Sequence, residues 1–203
     1  MKERIRLKRK NIRHNIVQKA ADIFAQFGFK KATMDDIATA MGMGKSTLYY
    51  YFKSKEQVFE AVVKKEADIL SKKLDEEVLM KDINPMKKLR SYVLIRMNFL
   101  NDFVNFFAAL KQDYLSNLAF TERVREKYDK EEQHIIQGIL EEGIEQGIFD
   151  LKETKLSALA IATTMKGLEV AWLIKNELEV VDLEKQLDEM LSILFYGIVK
   201  KSG

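Results

Sequence analysis

The sequence predicts an all-α fold, and three observations carry that prediction. The chain holds one proline, Pro85, and nine glycines in 203 residues, so few positions force a helix to end. Apolar residues recur at three-and-four spacing along most of the chain. No strand-like alternation, repeat or low-complexity tract interrupts that pattern, and a hydrophobic content of 47% suffices to bury a core.

The elements follow in order. Ile12, Ile16, Val17, Ala20, Ile23, Phe24 and Phe27 line one face of a first helix, which Gly28 ends. Thr33, with Asp36 three residues on, is an approximate capping box that opens a short helix with Ile37, Ala38 and Met41 on its face; Gly42 closes it. Gly44 to Tyr50 reads as a third short helix. Ser54 and Gln57 form a second capping box, from which Val58, Phe59, Val62, Ile69, Leu70, Leu74 and Val78 carry a long helix toward residue 80. Asn84 and Pro85 pair as cap and first turn of a fifth helix, faced by Leu89, Val93, Leu100 and Phe103. Further helices are expected near 105–118, from Thr121 to Gln146 with Gly147 as the stop, near 153–176 and over 183–200, about nine in all.

Charge divides the chain. Residues 1–55 hold 13 basic and 4 acidic side chains, and residues 56–203 hold 21 and 27, so a basic head precedes an acidic body within a net charge of +3. Two domains are expected on that boundary, 1–55 and 56–203. The opening MKERIRLKRKNIRHN is charged and leads into no apolar run, so it does not read as a signal peptide. No stretch approaches the ~18 apolar residues of a membrane span. A cytoplasmic protein with no membrane partner is expected. Zero cysteines exclude a disulfide scaffold, a Cys-based zinc site and a cysteine nucleophile.

The head outlines a helix-turn-helix: two short helices about the turn Met41-Gly42-Met43, with the second placed for the DNA major groove. At ~100° per residue, a core-facing Leu48 brings Phe52 and Tyr51 within about 60° and turns Lys45, Ser46, Thr47, Tyr49 and Tyr50 outward. Hydroxyls, tyrosine rings and a lysine suit phosphates, sugars and thymine methyls, whereas an ordinary solvated helix shows Glu and Lys. The nineteen residues between Asp36 and Glu56 hold no carboxylate to repel a phosphate backbone. Lys53 and Lys55 stand at the start of the fourth helix, where a helix N-terminus also holds phosphate.

Enzymatic readings fail on the same residues. Gly44-Lys45-Ser46-Thr47 resembles the end of a phosphate loop, but Thr39 occupies the first glycine position and a helix precedes it instead of a strand. GxGxxG fails likewise, with Thr47 as its last position. His14 and His134 lie on separate helices without a carboxylate or serine arrangement. No catalytic residue, metal site or cofactor is expected.

Phe24, Gly28, Thr33, Ile37, Ala38, Gly42 and the run Thr47-Leu48-Tyr49-Tyr50-Tyr51-Phe52-Lys53-Ser54-Lys55-Glu56 resemble the N-terminal DNA-binding domain of the TetR family of transcriptional regulators. The likeness covers Ile12 to Val63, about a quarter of the chain. It implies a homodimeric, all-helical regulator, usually a repressor, that leaves a palindromic operator when a small molecule enters its C-terminal domain. It matches Thr33, Lys45, Thr47, Tyr49, Tyr50 and Lys55 to DNA contacts, and the outward-face reading adds Ser46 and Lys53. Tyr51 stands where many members have histidine and Gly44 where many have serine or alanine, which leaves base preference open. Upstream, Lys2, Arg4, Arg6, Lys8, Arg9, Lys10 and Arg13 form a basic arm with two readings, a minor-groove arm or a disordered electrostatic tail.

In the body, Ala160, Thr164, Gly167 and Ala171 form a small-residue stripe, and Leu183, Leu187, Met190, Leu191, Leu194 and Ile198 a broad apolar face. The resemblance implies a four-helix dimer interface from the last two helices, built on Ala160, Thr164, Gly167, Ala171, Leu187, Leu191, Leu194 and Ile198. Residues 92–128 are rich in aromatic and Met side chains, which suit packing and equally an apolar ligand. The expected lining is Arg96, Met97, Leu100, Phe103, Phe107, Tyr114, Met165 and Trp172. Arg96 shares the stripe of Val93, Leu100 and Phe103, so it needs an anion, from a protein carboxylate or from the acid head of an effector.

Overall fold

A computed structural model describes residues 2–80, 82–102, 118–175 and 180–196. Eight α-helices stand among them: α1 (Lys2–Lys31), α2 (Met34–Ala40), α3 (Lys45–Tyr51), α4 (Lys55–Leu74), α5 (Pro85–Asp102), α6 (Leu118–Glu145), α7 (Thr154–Lys175) and α8 (Val180–Tyr196), with a π-helical turn Asp75–Leu79 prolonging α4. The described residues contain no strand. The helix expected near 105–118 falls almost wholly outside the described residues.

Two compact units make up the fold, Met1–Ile69 with Asp102–Lys127 and Leu70–Asn101 with Tyr128–Gly203, so the division cuts both α4 and α6. In the first unit the expected face of α1 is the buried one: Ile16, Ala20 and Phe24 are fully covered and Val17 nearly so, while Phe27 is exposed. Phe24, Phe29 and Phe59 pack edge-to-face or tilted, with ring centroids 4.8 to 5.8 Å apart. Gly28 turns the chain out of helical geometry at φ 77°, a value that glycine adopts without strain.

Local chemistry then sets the helix ends. The Thr33 hydroxyl accepts from the Asp36 N–H, and the Asp36 carboxylate accepts from the Thr33 N–H at 2.8 Å and from its hydroxyl at 2.7 Å, a reciprocal cap. Those bonds hold the Asp36 carboxyl below its ordinary pKa. Gly42, at φ 62°, makes the turn between α2 and α3. At α4 the Ser54 hydroxyl accepts from the Gln57 N–H, but the Gln57 side-chain Oε1 reaches past Ser54 to accept from the Lys53 N–H. Asn84 caps α5 through the Met86 N–H at 2.8 Å.

In the second unit Leu89, Tyr92, Val93 and Met97 of α5 are buried, as are Ile136 and Ile139 of α6, Ala158 and Met165 of α7 and Leu187 of α8. Ion pairs tie the same helices. Lys88 bonds Glu142 at 2.8 Å with its ammonium almost fully covered, and Arg90 bonds Asp188 at 2.6 and 2.7 Å.

Candidate nucleic-acid interface

The first unit builds one face from α3. Leu48 and Phe52 are fully buried, and Tyr51 is half-buried beside them. That anchoring turns Lys45, Ser46, Thr47, Tyr49 and Tyr50 to solvent, with Tyr50 57% exposed. The helical repeat alone dictates this outcome, because α3 is a single seven-residue segment with one buried apolar stripe. Thr33 is exposed at the start of α2, and its hydroxyl proton is engaged by Asp36.

Tertiary contacts modify the electrostatics read from the sequence. The acid-free stretch is not an acid-free neighbourhood: Asp35, on α2, bonds the Lys45 ammonium at 2.8 Å and raises its pKa. Both side chains remain exposed, so the pair is a weak one. The Lys53 ammonium turns back to the Tyr49 carbonyl at 3.1 Å, on the last turn of α3.

Lys55, expected at a phosphate, is engaged within the head. Its ammonium donates to the carbonyls of Phe29 at 2.6 Å, Ala32 at 2.9 Å and Lys30 at 3.2 Å, and lies 4.6 Å from the Phe29 ring centroid. An ammonium has three donors, and here all three satisfy carbonyls at the end of α1. In this arrangement Lys55 braces the end of α1 against α4, with its three N–H groups on those carbonyls.

The basic arm is a helix. α1 begins at Lys2, so the disordered-tail reading gives way to about three extra helical turns. The Arg9 guanidinium lies 4.9 Å from the Tyr50 ring centroid. Arg13 covers the Phe52 ring at 4.1 Å and donates to the Tyr51 carbonyl at 3.4 Å. Tyr50 is thus held between Arg9 and the ring of Tyr51, which meets it edge-on at 5.2 Å. The i, i+3, i+4, i+7 spacing of Arg6, Arg9, Lys10 and Arg13 was the available signal for this arrangement.

Of the ligand-lining candidates, Met97 and Met165 are buried in the second unit. The side chains of Leu100 and Trp172, and all of Phe103, Phe107 and Tyr114, lie outside the described residues. Arg96 meets its anion within the chain: Glu132 accepts at 2.9 Å and Glu169 at 3.1 Å, while the Tyr92 hydroxyl also donates to Glu132 at 3.3 Å. Burial opposes the guanidinium charge, but the two carboxylates more than offset it and hold its pKa above the ordinary value.

The dimer candidates sort by exposure. Leu187 and Leu191 are buried within the chain, whereas Ala160, Thr164, Gly167 and Leu194 are exposed. The side chain of Ala171 and all of Ile198 lie outside the described residues. Sequence reasoning missed the largest exposed apolar groups on these helices, Leu156 (60%), Leu159, Ile193 and Tyr196 (67%).

Comparison with known proteins places this geometry among regulators. The family model for bacterial regulatory proteins of the tetR family matches residues 16–62. The HTH-type transcriptional regulator RutR of Escherichia coli is 32% identical over 88 residues, 43% of this chain, and the match spans only 41% of RutR. The HTH-type transcriptional repressor KstR2 of Mycolicibacterium smegmatis is 31% identical over 140 residues, covering 68% of this chain and 67% of that protein. The fatty acid metabolism regulator protein of Bacillus subtilis is 25% identical over 190 residues, 92% of this chain and 95% of its own. The solved structure of the transcriptional regulator FadR from Bacillus subtilis in complex with stearoyl-CoA has the same fold, with a TM-score of 0.76 at 24% identity over 91% of this chain and 98% of that one.

Proposed function

The chain belongs to the TetR family of bacterial regulatory proteins, and from that premise we propose that it is a one-component repressor which binds a palindromic operator as a homodimer and is released by an apolar effector. Residues 1–55 engage DNA and residues 56–203 dimerise and sense the effector. The observation that carries the reading is the outward face of α3, where Lys45, Ser46, Thr47, Tyr49 and Tyr50 stand exposed over buried Leu48 and Phe52. Thr33 and Lys53 are exposed as well. Ser46, Thr47 and the tyrosines read base edges and sugars, and Lys45 exchanges Asp35 for a phosphate.

Dimerisation through α7 and α8 is supported by Leu156, Leu159, Ile193, Leu194 and Tyr196, which stay largely exposed in the single chain, and by the small Ala160, Thr164 and Gly167 that let a second helix approach. A two-fold pair of heads presents α3 at successive major grooves, ~34 Å apart. The effector class rests on the relatives, a fatty acid metabolism regulator and a regulator solved with stearoyl-CoA, and on the buried methionines Met97 and Met165. We assign it as a long-chain acyl thioester. Its binding shifts α4, which starts at Lys55 in the head and runs to Leu74, and a coupling of ~1 to 3 kcal/mol changes operator affinity ~5- to 150-fold.

The test begins with selection of a duplex from a random pool by the full-length protein, followed by titration of the selected complex with stearoyl-CoA. A palindromic consensus that stearoyl-CoA releases, and that free coenzyme A does not, is the expected result. Failure to enrich any duplex would overturn the DNA reading, and unchanged affinity with stearoyl-CoA would overturn the effector class alone.

A further inference from the structure

The excess length of α1 has a direction. At about 100° per residue, Arg6, Arg9, Lys10 and Arg13 occupy an arc of roughly 100°, and that arc continues the one holding Ile16, Val17, Ala20 and Phe24 farther along the same helix. Ile16, Val17, Ala20 and Phe24 are buried against the rest of the head. The basic arc therefore faces the same side, where the α1 overhang runs past the end of α3, and the contacts of Arg9 with Tyr50 and of Arg13 with Phe52 and the Tyr51 carbonyl are the direct record of it. Arg4 and Lys8 point to the opposite side of the helix, and Leu7 between them is 57% exposed.

The sequence also explains why this overhang is helical without an apolar face of its own. Residues 2–10 contain no proline, glycine or β-branched residue except Ile5, and arginine and lysine are good helix formers. Arg9 and Arg13 fix the overhang to the head by covering aromatic rings at 4.9 and 4.1 Å, which is within the range of a cation–π contact. Arg6 and Lys10 are exposed and make no ion pair among the described residues.

Shape limits what these two free cations can touch on DNA. An α-helix with its side chains is ~10 to 12 Å across. The minor groove of B-DNA is ~6 Å wide, so a helical overhang does not enter it. A helix lying beside an α3 seated in the major groove instead meets the sugar-phosphate wall of that groove.

We propose that the first three turns of α1 are a second DNA-binding element, a rigid basic ridge that grips backbone phosphates beside the recognition helix through Arg6 and Lys10, with Arg9 and Arg13 as the residues that orient it. The inference rests on the assignment of α3 as the recognition helix. The ridge adds affinity and fixes the register of the head on the duplex. It reads no bases itself, but by bracing Tyr50 it holds a base-reading ring in place.

The experiment compares two double variants of the full-length protein that lose the same charge from opposite sides of one helix, Arg6→Ala with Lys10→Ala and Arg4→Ala with Lys8→Ala. Affinity for the selected duplex and for a scrambled duplex is followed against salt. Both variants should retain the parent helicity and melting midpoint, because all four side chains are exposed. Loss of Arg6 and Lys10 should flatten the slope of log affinity against log salt by ~1.8, at ~0.9 for each phosphate released, and should weaken both duplexes by the same factor. Loss of Arg4 and Lys8 should change the slope by much less than one contact. Ethylation interference should show one outer cluster of phosphates that matters to the parent and not to the Arg6, Lys10 variant. Equal flattening by the two variants would overturn the ridge in favour of a diffuse or unfolded arm, and no flattening by either would overturn it outright. If the parent itself selects no duplex, the recognition-helix assignment falls and the ridge falls with it.

Discussion

Replacing Lys55 by Met separates a structural lysine from a DNA-contacting one. The substitution keeps an unbranched stem of similar length against the Phe29 ring and removes the ammonium. Three carbonyls lose a charged donor, those of Phe29, Ala32 and Lys30, at 2.6, 2.9 and 3.2 Å. A hydrogen bond to a charged group contributes about 1.5 to 3 kcal/mol net, but three bonds to one ammonium are not additive. Holding a lysine side chain in one rotamer also costs up to ~2 kcal/mol, which the variant recovers. A net loss of about 2 to 4 kcal/mol follows, and for a chain of this size that lowers the melting midpoint by roughly 5 to 15 °C. Circular dichroism melts measure it. A titration of the selected duplex against salt, well below the midpoint, should give the parent slope, because no phosphate contact has been removed. A variant that melts with the parent and flattens the slope by ~0.9 would refute the brace and return Lys55 to the phosphates.

Tyr50→Ala should weaken the selected duplex by about 1 to 3 kcal/mol and leave the scrambled duplex nearly unchanged, in the same binding titration; equal weakening of both would remove Tyr50 from the reading face. Arg96→Met leaves the carboxylates of Glu132 and Glu169 buried together without their guanidinium, so urea unfolding should show a loss of about 3 to 5 kcal/mol, and a loss below 1 kcal/mol would mean that the triad opens to water. Glu66 supplies a pH dependence: burial, opposed weakly by Lys65, lifts its carboxyl to about 8 from an ordinary 4.5. The folded state then holds a proton that the unfolded chain releases, so stability is full below the ordinary value and falls as pH rises through the window from 4.5 to about 8. Glu66→Gln should flatten that fall, and an unchanged pH profile of the melting midpoint would show that Glu66 ionises freely.

What was legible in the head was local. Gly28 breaks the helical geometry of α1 and Gly42 makes the turn after α2, Thr33 and Asp36 form their box, and Leu48 with Phe52 sets the orientation of α3, because each depends on residues within one helical turn. What was not legible came from across the fold. Asp35 reaches Lys45 over ten positions, and Lys55 reaches Phe29 over 26. Neither distance is written in any periodicity. The start of α1 was hidden for a different reason: residues 2–11 are polar almost all round, so an apolar stripe first appears at Ile12, and the helix upstream has no hydrophobic signal to read. In the body, Leu187, Leu191 and Leu194 share one apolar face in sequence, yet the first two are buried within the chain and the third is exposed. A face wider than one stripe fills a core and still has apolar surface left for a partner, and spacing alone does not divide the two.

The Arg96 cluster shows how such a division changes a functional reading. An inward arginine requires an anion, and sequence left two sources open. With Glu132 and Glu169 on it, the cluster joins α5 to α6 and α7. An effector that brought its own carboxylate to Arg96 would have to displace one of these two, and the displaced carboxylate would stay in a site where Glu169 is only 1% exposed. Breaking one arm of a buried ion pair costs about 3 to 5 kcal/mol, more than the ~1 to 3 kcal/mol by which an effector typically couples to a distant site. For the acyl effector proposed above, that cost favours an anionic end bound away from Arg96, with the triad as a polar clamp on three helices.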